Sequence, residues 1–351
     1  MDPIRIGVIG SGGIFRNLHV PYLEQTKLAK VVAVADMNEE SAKEMAQKFG
    51  AEAYTDYREL LDCKDVDAVE ICTHPRPHCK MAVAAAKAGK HILLEKPMCR
   101  TVAEAEKMIA AAKKAKVRLQ VAYMMRFNPN LMKLKELLDN GTLGEPHMIQ
   151  CCQVGYFPPK HPWLFIRKES GGMLVEQAIH VFDEWLWLYG PAKSVYAQMS
   201  HVPMGGTYPA EKKAVENNAV ITVNFKSGAT AMLIKSWASQ VRFDSVEGVV
   251  CSKGSAKVSQ SELVWQTHGM EKAETFSAPV PDDDTYRNIP DPQRQNRYWS
   301  VASKGAGIEH WLKCILGEEK PTTSGKVGRD GIAIAEAAYR SADKGKPVKV
   351  K

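Results

Sequence analysis

The sequence has eight cysteines, at 63, 72, 79, 99, 151, 152, 251 and 314, but no CxxC pair. Several lie inside apolar runs such as Val69-Glu70-Ile71-Cys72. Buried free thiols in a reducing compartment fit this better than a disulfide framework. There is no apolar run near membrane-spanning length and no leader pattern, since the chain enters a β-rich run at Ile4–Ile9. A soluble, cytoplasmic protein with no membrane partner is expected. There is also no long block of like charge. The net charge of +7 comes from Lys and Arg mixed with Asp and Glu, and the patch Lys113-Lys114-Ala115-Lys116 is short. With no nucleic-acid reading motif beside it, that charge implies attraction for anionic ligands rather than for nucleic acid. No internal repeat or low-complexity segment occurs. What remains is ordinary globular composition, 45% hydrophobic and 25% charged, over 351 residues, enough for two domains.

The first 122 residues alternate between short apolar runs and helical patterns. Ile4–Ile9 is followed by Gly10-Ser11-Gly12-Gly13-Ile14-Phe15, a helix to about Leu23, and the run Val31–Ala35 ending in Asp36. Strand, glycine turn, helix, strand, acid is the order of a dinucleotide site. The glycines let backbone approach a pyrophosphate at a helix N-terminus, and the acid accepts ribose hydroxyls. Phe15 stands where a third glycine usually permits close helix–strand packing, so the helix is expected to sit differently. Asp36 repels a 2′-phosphate, and Met37 and Asn38 supply no arginine to receive one. NAD is therefore favoured over NADP, with Arg16 the cation that could lie nearby. Helix 39–49, a short helix near 57–62, strand 66–72, a proline-rich loop 73–78, helix 79–88, strand 91–94, helix 102–115 and strand 118–122 follow. This alternation predicts a doubly wound parallel sheet.

One strand of that sheet, His91-Ile92-Leu93-Leu94, runs straight into Glu95-Lys96-Pro97. A lysine at a strand end is usually a solvated group. In a parallel sheet, however, ligands bind at the carboxyl ends of the strands, and Pro97 restricts the backbone of Lys96.

From Tyr123 the pattern changes. A helix at 129–139, a long strand 146–156 and a helix 173–189 precede several strands joined by short turns, including a hairpin at Ser227-Gly228. A second domain, 123–351, of α+β type with a mostly antiparallel sheet is expected. Residues 279–304, rich in Asp, Pro, Asn, Arg and Gln, read as a long loop or lid. Helices near 305–316 and 326–342 follow. On helix 173–189, Glu176 and His180 are four apart and share a face. A glutamate can orient the imidazole and raise its pKa, making His180 a candidate acid–base group, or the two can be a structural pair. No third ligand accompanies them, so no metal is expected.

Gly10-x-Gly12, Asp36, Thr73-x-Pro75-x-x-His78, Glu95-Lys96-Pro97, Arg126-Phe127-Asn128-Pro129, Gly171-Gly172 with Glu176 and His180, and the tail Glu336-Ala337-Ala338-Tyr339 occur together and in order. In this combination the chain resembles the Gfo/Idh/MocA oxidoreductases, the family of glucose–fructose oxidoreductase and inositol dehydrogenase. The resemblance implies a Rossmann domain followed by a domain with a large open sheet, through which a homodimer or homotetramer forms. It also implies hydride transfer between NAD and a sugar, cyclitol or related polyol. Lys96 would contact the reacting oxygen, Pro97 would follow a cis peptide bond, and His180 would be the acid–base. The family more often has Asp where Glu176 stands. The implied cofactor contacts are Gly10, Gly12, Gly13, Ile14, Asp36, Thr73, Pro75, His78, Glu95 and Lys96. The substrate contacts are Lys96, Arg126, Tyr156, Trp163, Glu176 and His180; Trp163 reads equally as a core aromatic. Two other outcomes share these residues. One is a glycosidase or lyase using transient sugar oxidation, and the other is a non-catalytic NAD-binding regulator.

Overall fold

The computed structural model describes residues 2–157, 161–204, 215–241, 243, 246–259, 261–279 and 291–351, the side chains of 291–296 aside. The chain divides into two compact units: Met1–Met124 with Ser300–Ile332, and Met125–Trp299 with Ala333–Lys351.

The first unit is built on six parallel strands: β1 (Ile4–Ile9), β2 (Ala29–Ala35), β3 (Glu52–Tyr54), β4 (Ala68–Ile71), β5 (His91–Leu94) and β6 (Leu119–Val121). Their order is β3-β2-β1-β4-β5-β6, so the strand order reverses between β1 and β4. In open parallel sheets, ligands bind at such a reversal, outside the carboxyl ends of the strands. The core joins Ile6, Val8, Val31, Val34 and Leu93 of the sheet to Phe15, Ile308, Trp311 and Leu312. The doubly wound sheet was expected; β3 was not, because it has only three residues, Glu52 and Ala53 exposed and Tyr54 half-buried, too few to show a period. Two other differences have local causes. The helix expected from residue 79 begins at Pro75, where a proline suits the first turn because it lacks an amide that would be orphaned there. The stretch expected as a loop over 279–304 is helical from Asp291 to Leu316, again with a proline in its first turn. Residues 280–290 of that stretch lie outside the described residues.

The second unit carries a nine-stranded sheet. Its strands are β7 (Pro146–Val154), β8 (Ala192–Ser200), β9 (Asn218–Phe225), β10 (Thr230–Ser236), β11 (Val246–Cys251), β12 (Gly254–Val258), β13 (Leu263–Thr267), β14 (Glu274–Phe276) and β15 (Val348–Lys349). They run in the order β14-β13-β12-β11-β7-β10-β9-β8-β15. All pairs are antiparallel except β7 with β10. One face buries Ile149, Ile221, Leu233 and Val249. The helix Ile179–Tyr189 packs on the sheet, with Trp185 and Tyr189 edge-on to Phe225. On the opposite face the register aligns Val250 with Met148 and Ile234 with Val220, and all four are exposed.

Candidate active site

The glycine turn sits at the strand-order reversal. Gly10 has φ +95°, and a side chain there would meet the backbone of Cys72, 2.9 Å away, at the end of β4. No other residue adopts that conformation in that space at low cost. Added atoms at Gly12 would meet nothing within 4 Å, and at Gly13 only the Asn17 amide at 3.7 Å. The turn is thus an open cradle at a helix N-terminus, which suits the pyrophosphate of a dinucleotide. Ile14 is 48% exposed beside it. Phe15 is fully buried with its ring tilted against that of Phe49, and the chain from Phe15 to His19 forms a π-helical turn before the α-helix Val20–Leu23. At the end of β2, Asp36 is half-buried, and its carboxylate accepts from the amide and hydroxyl of Ser11 at 2.8 and 3.1 Å.

At the end of β5 the Lys96–Pro97 peptide is cis. Two buried side chains grip it. The amide of Lys96 donates to Glu95 Oε2 at 3.0 Å, and a ring nitrogen of His78 lies 3.0 Å from the Pro97 carbonyl. The other His78 nitrogen lies 3.0 Å from the Thr73 carbonyl. Burial pushes the His78 pKa down. His78, expected at the cofactor, is therefore a fully buried brace beneath the loop. Glu95 is also buried. Its Oε1 accepts from His19 Nε2 at 2.8 Å and from the Lys304 ammonium. Burial opposes its charge, but Lys304, followed by the His19 hydrogen bond, more than offsets this and holds the carboxyl well below its ordinary range. His19 Nδ1 in turn meets Glu70 Oε2 at 2.7 Å. With a carboxylate oxygen at each ring nitrogen, the ring carries both protons. Burial alone would lower its pKa, yet Cys72 and Glu70 raise it well above the ordinary value.

His19, Glu70 and Cys72 lie close enough to suggest a metal site. Both His19 nitrogens already face carboxyl oxygens, Glu70 on one side and Glu95 on the other. Thr73 and Pro75 follow Cys72 and lead into helix Pro75–Lys87, Thr73 half-buried and Pro75 buried. Lys96 itself is half-buried.

In the second unit, Glu176 and His180 are both half-buried. Glu176 does not lie on an α-helix as expected: Leu174–Ala178 is a π-helical turn, and the α-helix that carries His180 starts at Ile179. Wide turns of this kind concentrate at functional sites. Gly172, at φ +101°, precedes the turn; a side chain there would strike the Tyr339 hydroxyl. That hydroxyl donates to buried Glu216 at 2.6 Å, and Glu216 also pairs with Arg167, whose guanidinium lies 3.8 Å from the centre of the Tyr339 ring. Trp237 Nε1 donates to Gln177 at 2.6 Å within the same turn. Arg126, expected at the substrate, is only 8% exposed and binds Asp183 through Nε and Nη2 at 2.9 and 2.7 Å. A buried guanidinium requires such an acid, and this one is committed to it. Tyr156 is exposed, and Trp163 is half-buried on the short helix Pro162–Phe165.

Sequence reasoning missed His19, Glu70 and Lys304 beneath the motif. A signal existed for Glu70: an acid interrupts the apolar run Val69-Glu70-Ile71, and an acid inside a parallel-sheet strand requires a partner. Asp36 and Arg16, both singled out in the sequence, join Ser11, Ser41 and Glu44 in one hydrogen-bonded cluster.

Residues 4–123 match a family model described as an oxidoreductase family, NAD-binding Rossmann fold. Residues 135–350 match the C-terminal alpha/beta domain of the same family. The chain is 30% identical to myo-inositol 2-dehydrogenase of Thermotoga maritima, over 99% of this chain and 98% of the relative. It is 30% identical to D-glucoside 3-dehydrogenase of Escherichia coli over 71% of this chain and 74% of that one. The crystal structure of the WlbA dehydrogenase from Bordetella pertussis, in complex with NADH and UDP-GlcNAcA, superposes with a TM-score of 0.84. It is 25% identical and covers 99% of this chain and 98% of that chain.

Proposed function

The chain belongs to the Gfo/Idh/MocA oxidoreductase family, and from that membership we propose that it is an NAD-dependent dehydrogenase acting on a hydroxyl-bearing carbon of a sugar, cyclitol or glycoside. The observation that carries the reading is the fixed backbone of Lys96, held by Glu95 on one side and by His78 through Pro97 on the other. A cation so held at the carboxyl edge of a dinucleotide-binding sheet can stabilise an oxyanion without reorganising. The relatives' names, myo-inositol 2-dehydrogenase and D-glucoside 3-dehydrogenase, support the substrate class.

Bound NAD would supply the hydride acceptor, held by the turn Gly10–Ile14 and by Asp36. The residues do the rest. His180 takes the proton of the substrate hydroxyl as the hydride leaves carbon. The Lys96 ammonium donates to the same oxygen as its charge develops. Glu176 orients the imidazole. Tyr156 and Trp163 present rings on which a sugar can stack. The protein works as a homo-oligomer through the exposed face of the second sheet, where Met148, Val220, Ile234 and Val250 form one apolar patch. A cytoplasmic setting suits the eight free cysteines. Among the described residues, no helix is long and apolar enough to cross a membrane.

The test is a panel of cyclitols, sugars and glycosides incubated with NAD and followed for NADH and for glycoside cleavage. Cleavage with no accumulated NADH would replace net dehydrogenation by transient oxidation. On the substrate so identified, Lys96→Ala is expected to lower kcat by about two to four orders of magnitude and leave NAD affinity nearly intact. Turnover that survives this change refutes the assigned mechanism.

A further inference from the structure

The carboxylate at the end of β2 does not act alone. Asp36 Oδ2 accepts from Ser11, and Oδ1 accepts from the Asn38 amide at 2.9 Å. The Ser11 hydroxyl lies 2.7 Å from that of Ser41. Ser41 Oγ accepts from Arg16 Nη2 at 3.0 Å, and Arg16 Nε donates to the Ser11 carbonyl at 2.8 Å. A guanidinium therefore stands two hydroxyls away from the group that receives a ribose. Its remaining arm, Nη1, is engaged by Glu44 at 2.7 Å. In dinucleotide folds an acid at this place receives the ribose hydroxyls, and a nearby arginine receives a 2′-phosphate where the cofactor carries one. Here both residues are present, and the arginine is already paired with an acid on the following helix, Glu39–Phe49.

We propose that Glu44 is a specificity-determining residue for the cofactor: by holding Arg16 it withholds from a 2′-phosphate the guanidinium beside Asp36, and so strengthens selection of NAD over NADP. Two effects act in the same direction. Asp36 repels the phosphate directly. Glu44 engages Nη1, the one arm of the Arg16 fork that Ser41 and the Ser11 carbonyl leave, so no pair of donors is left for a phosphate, and it adds a second negative charge nearby. The inference does not depend on which substrate is used or on the role of Lys96.

The full-length protein and its Glu44→Gln variant are titrated with NADH and with NADPH, following fluorescence of the reduced nicotinamide. The Glu44 side chain is 63% exposed, so the change spares the fold, and an exposed pair has a modest effect. Glu44→Gln is expected to tighten NADPH by about three- to five-fold and to leave NADH within about two-fold. The gain should vanish in Arg16→Met/Glu44→Gln and shrink in high salt. The same series in an Asp36→Ser background removes the direct repulsion and brings NADPH into measurable range. An NADPH-to-NADH affinity ratio that Glu44→Gln leaves unchanged in both backgrounds overturns the proposal. So does a gain that persists without Arg16, or a wild type that prefers NADPH.

Discussion

Replacing Lys304 by methionine tests whether the ground beneath Lys96 is held by charge. The Lys304 ammonium meets Glu95 Oε1 and donates to the Ala122 carbonyl at 3.3 Å, with the two side chains only 3% and 6% exposed. Methionine keeps the length and apolar stem of lysine but leaves Glu95 short of its main compensation. Removing one member of a buried pair typically costs about 3–5 kcal/mol, because the other charge stays buried. Against a total stability of about 5–15 kcal/mol, that is a large fraction. It corresponds to a fall in Tm on the order of 10 °C for a unit of this size. The sign of the pH dependence follows from the lowered pKa of Glu95. In the wild type its contribution is present above the ordinary carboxyl range and is lost only as pH falls through a strongly acidic value. Without Lys304 the carboxyl keeps only His19 against the effect of burial and its pKa rises, so the variant regains stability by taking up a proton as pH falls. The deficit should therefore be smaller at pH 5 than at pH 8. Denaturant unfolding followed by the fluorescence of buried Trp311, in the same unit, measures it. The double variant Glu95→Gln/Lys304→Met should recover at least half of the loss, since no uncompensated charge remains. A single-variant cost below about 1 kcal/mol, or a deficit independent of pH, would refute this account of the network.

A second pH effect belongs to the other unit. Glu247 accepts from Trp185 and Tyr189 at 2.8 and 2.7 Å; burial pushes its pKa up to about 7 and pushes that of its neighbour Glu184 well above the ordinary value. Groups with raised folded pKa values stabilise below their unfolded pKa and lose that contribution as pH rises through the folded one. Thermal stability should therefore fall between about pH 4.5 and pH 7 and beyond, and Glu184→Gln, an uncharged donor to Glu247, should flatten the fall in a melting series. At the exposed sheet face, Ile234→Lys is expected to shift an oligomer to monomer in light scattering while leaving NADH binding unchanged, and an unaltered mass would remove that face from the assembly.

The parts of the molecule legible in its sequence are those where the determining contacts are local. The turn after β1 announces itself because Gly10, Gly12 and Asp36 sit within one strand–helix–strand unit. The hairpin at Gly228 is marked by its own turn residues, and β9 and β10 then pair residue by residue from Asn224 and Thr230 outward. What local pattern cannot show is a pairing that depends on the finished fold. Glu95 reads as a charge at a strand end, yet it is buried because His19, 76 residues before it, and Lys304, 209 residues after it, converge on its Oε1. The two π-helical turns, Phe15–His19 and Leu174–Ala178, escape periodicity for a related reason. Each adds a residue to a turn that the apolar spacing of its helix reads as ordinary. Each lies beside a candidate site residue set, the glycine turn in one case and Glu176 with His180 in the other, where packing around Phe15 or Gly172 outweighs backbone preference.

Lys96 shows the same division on a smaller scale. Its place at the end of β5 is a matter of four apolar residues and the sheet they join, and both are visible in the sequence. Its fixity is another matter, since the side chains that hold the Lys96–Pro97 peptide are Glu95 from within the motif and His78 from the helix before it. A motif of three residues is therefore a surface outcome of a deeper arrangement. Substituting the buried partners should disturb the placement of Lys96 while leaving the motif itself unchanged.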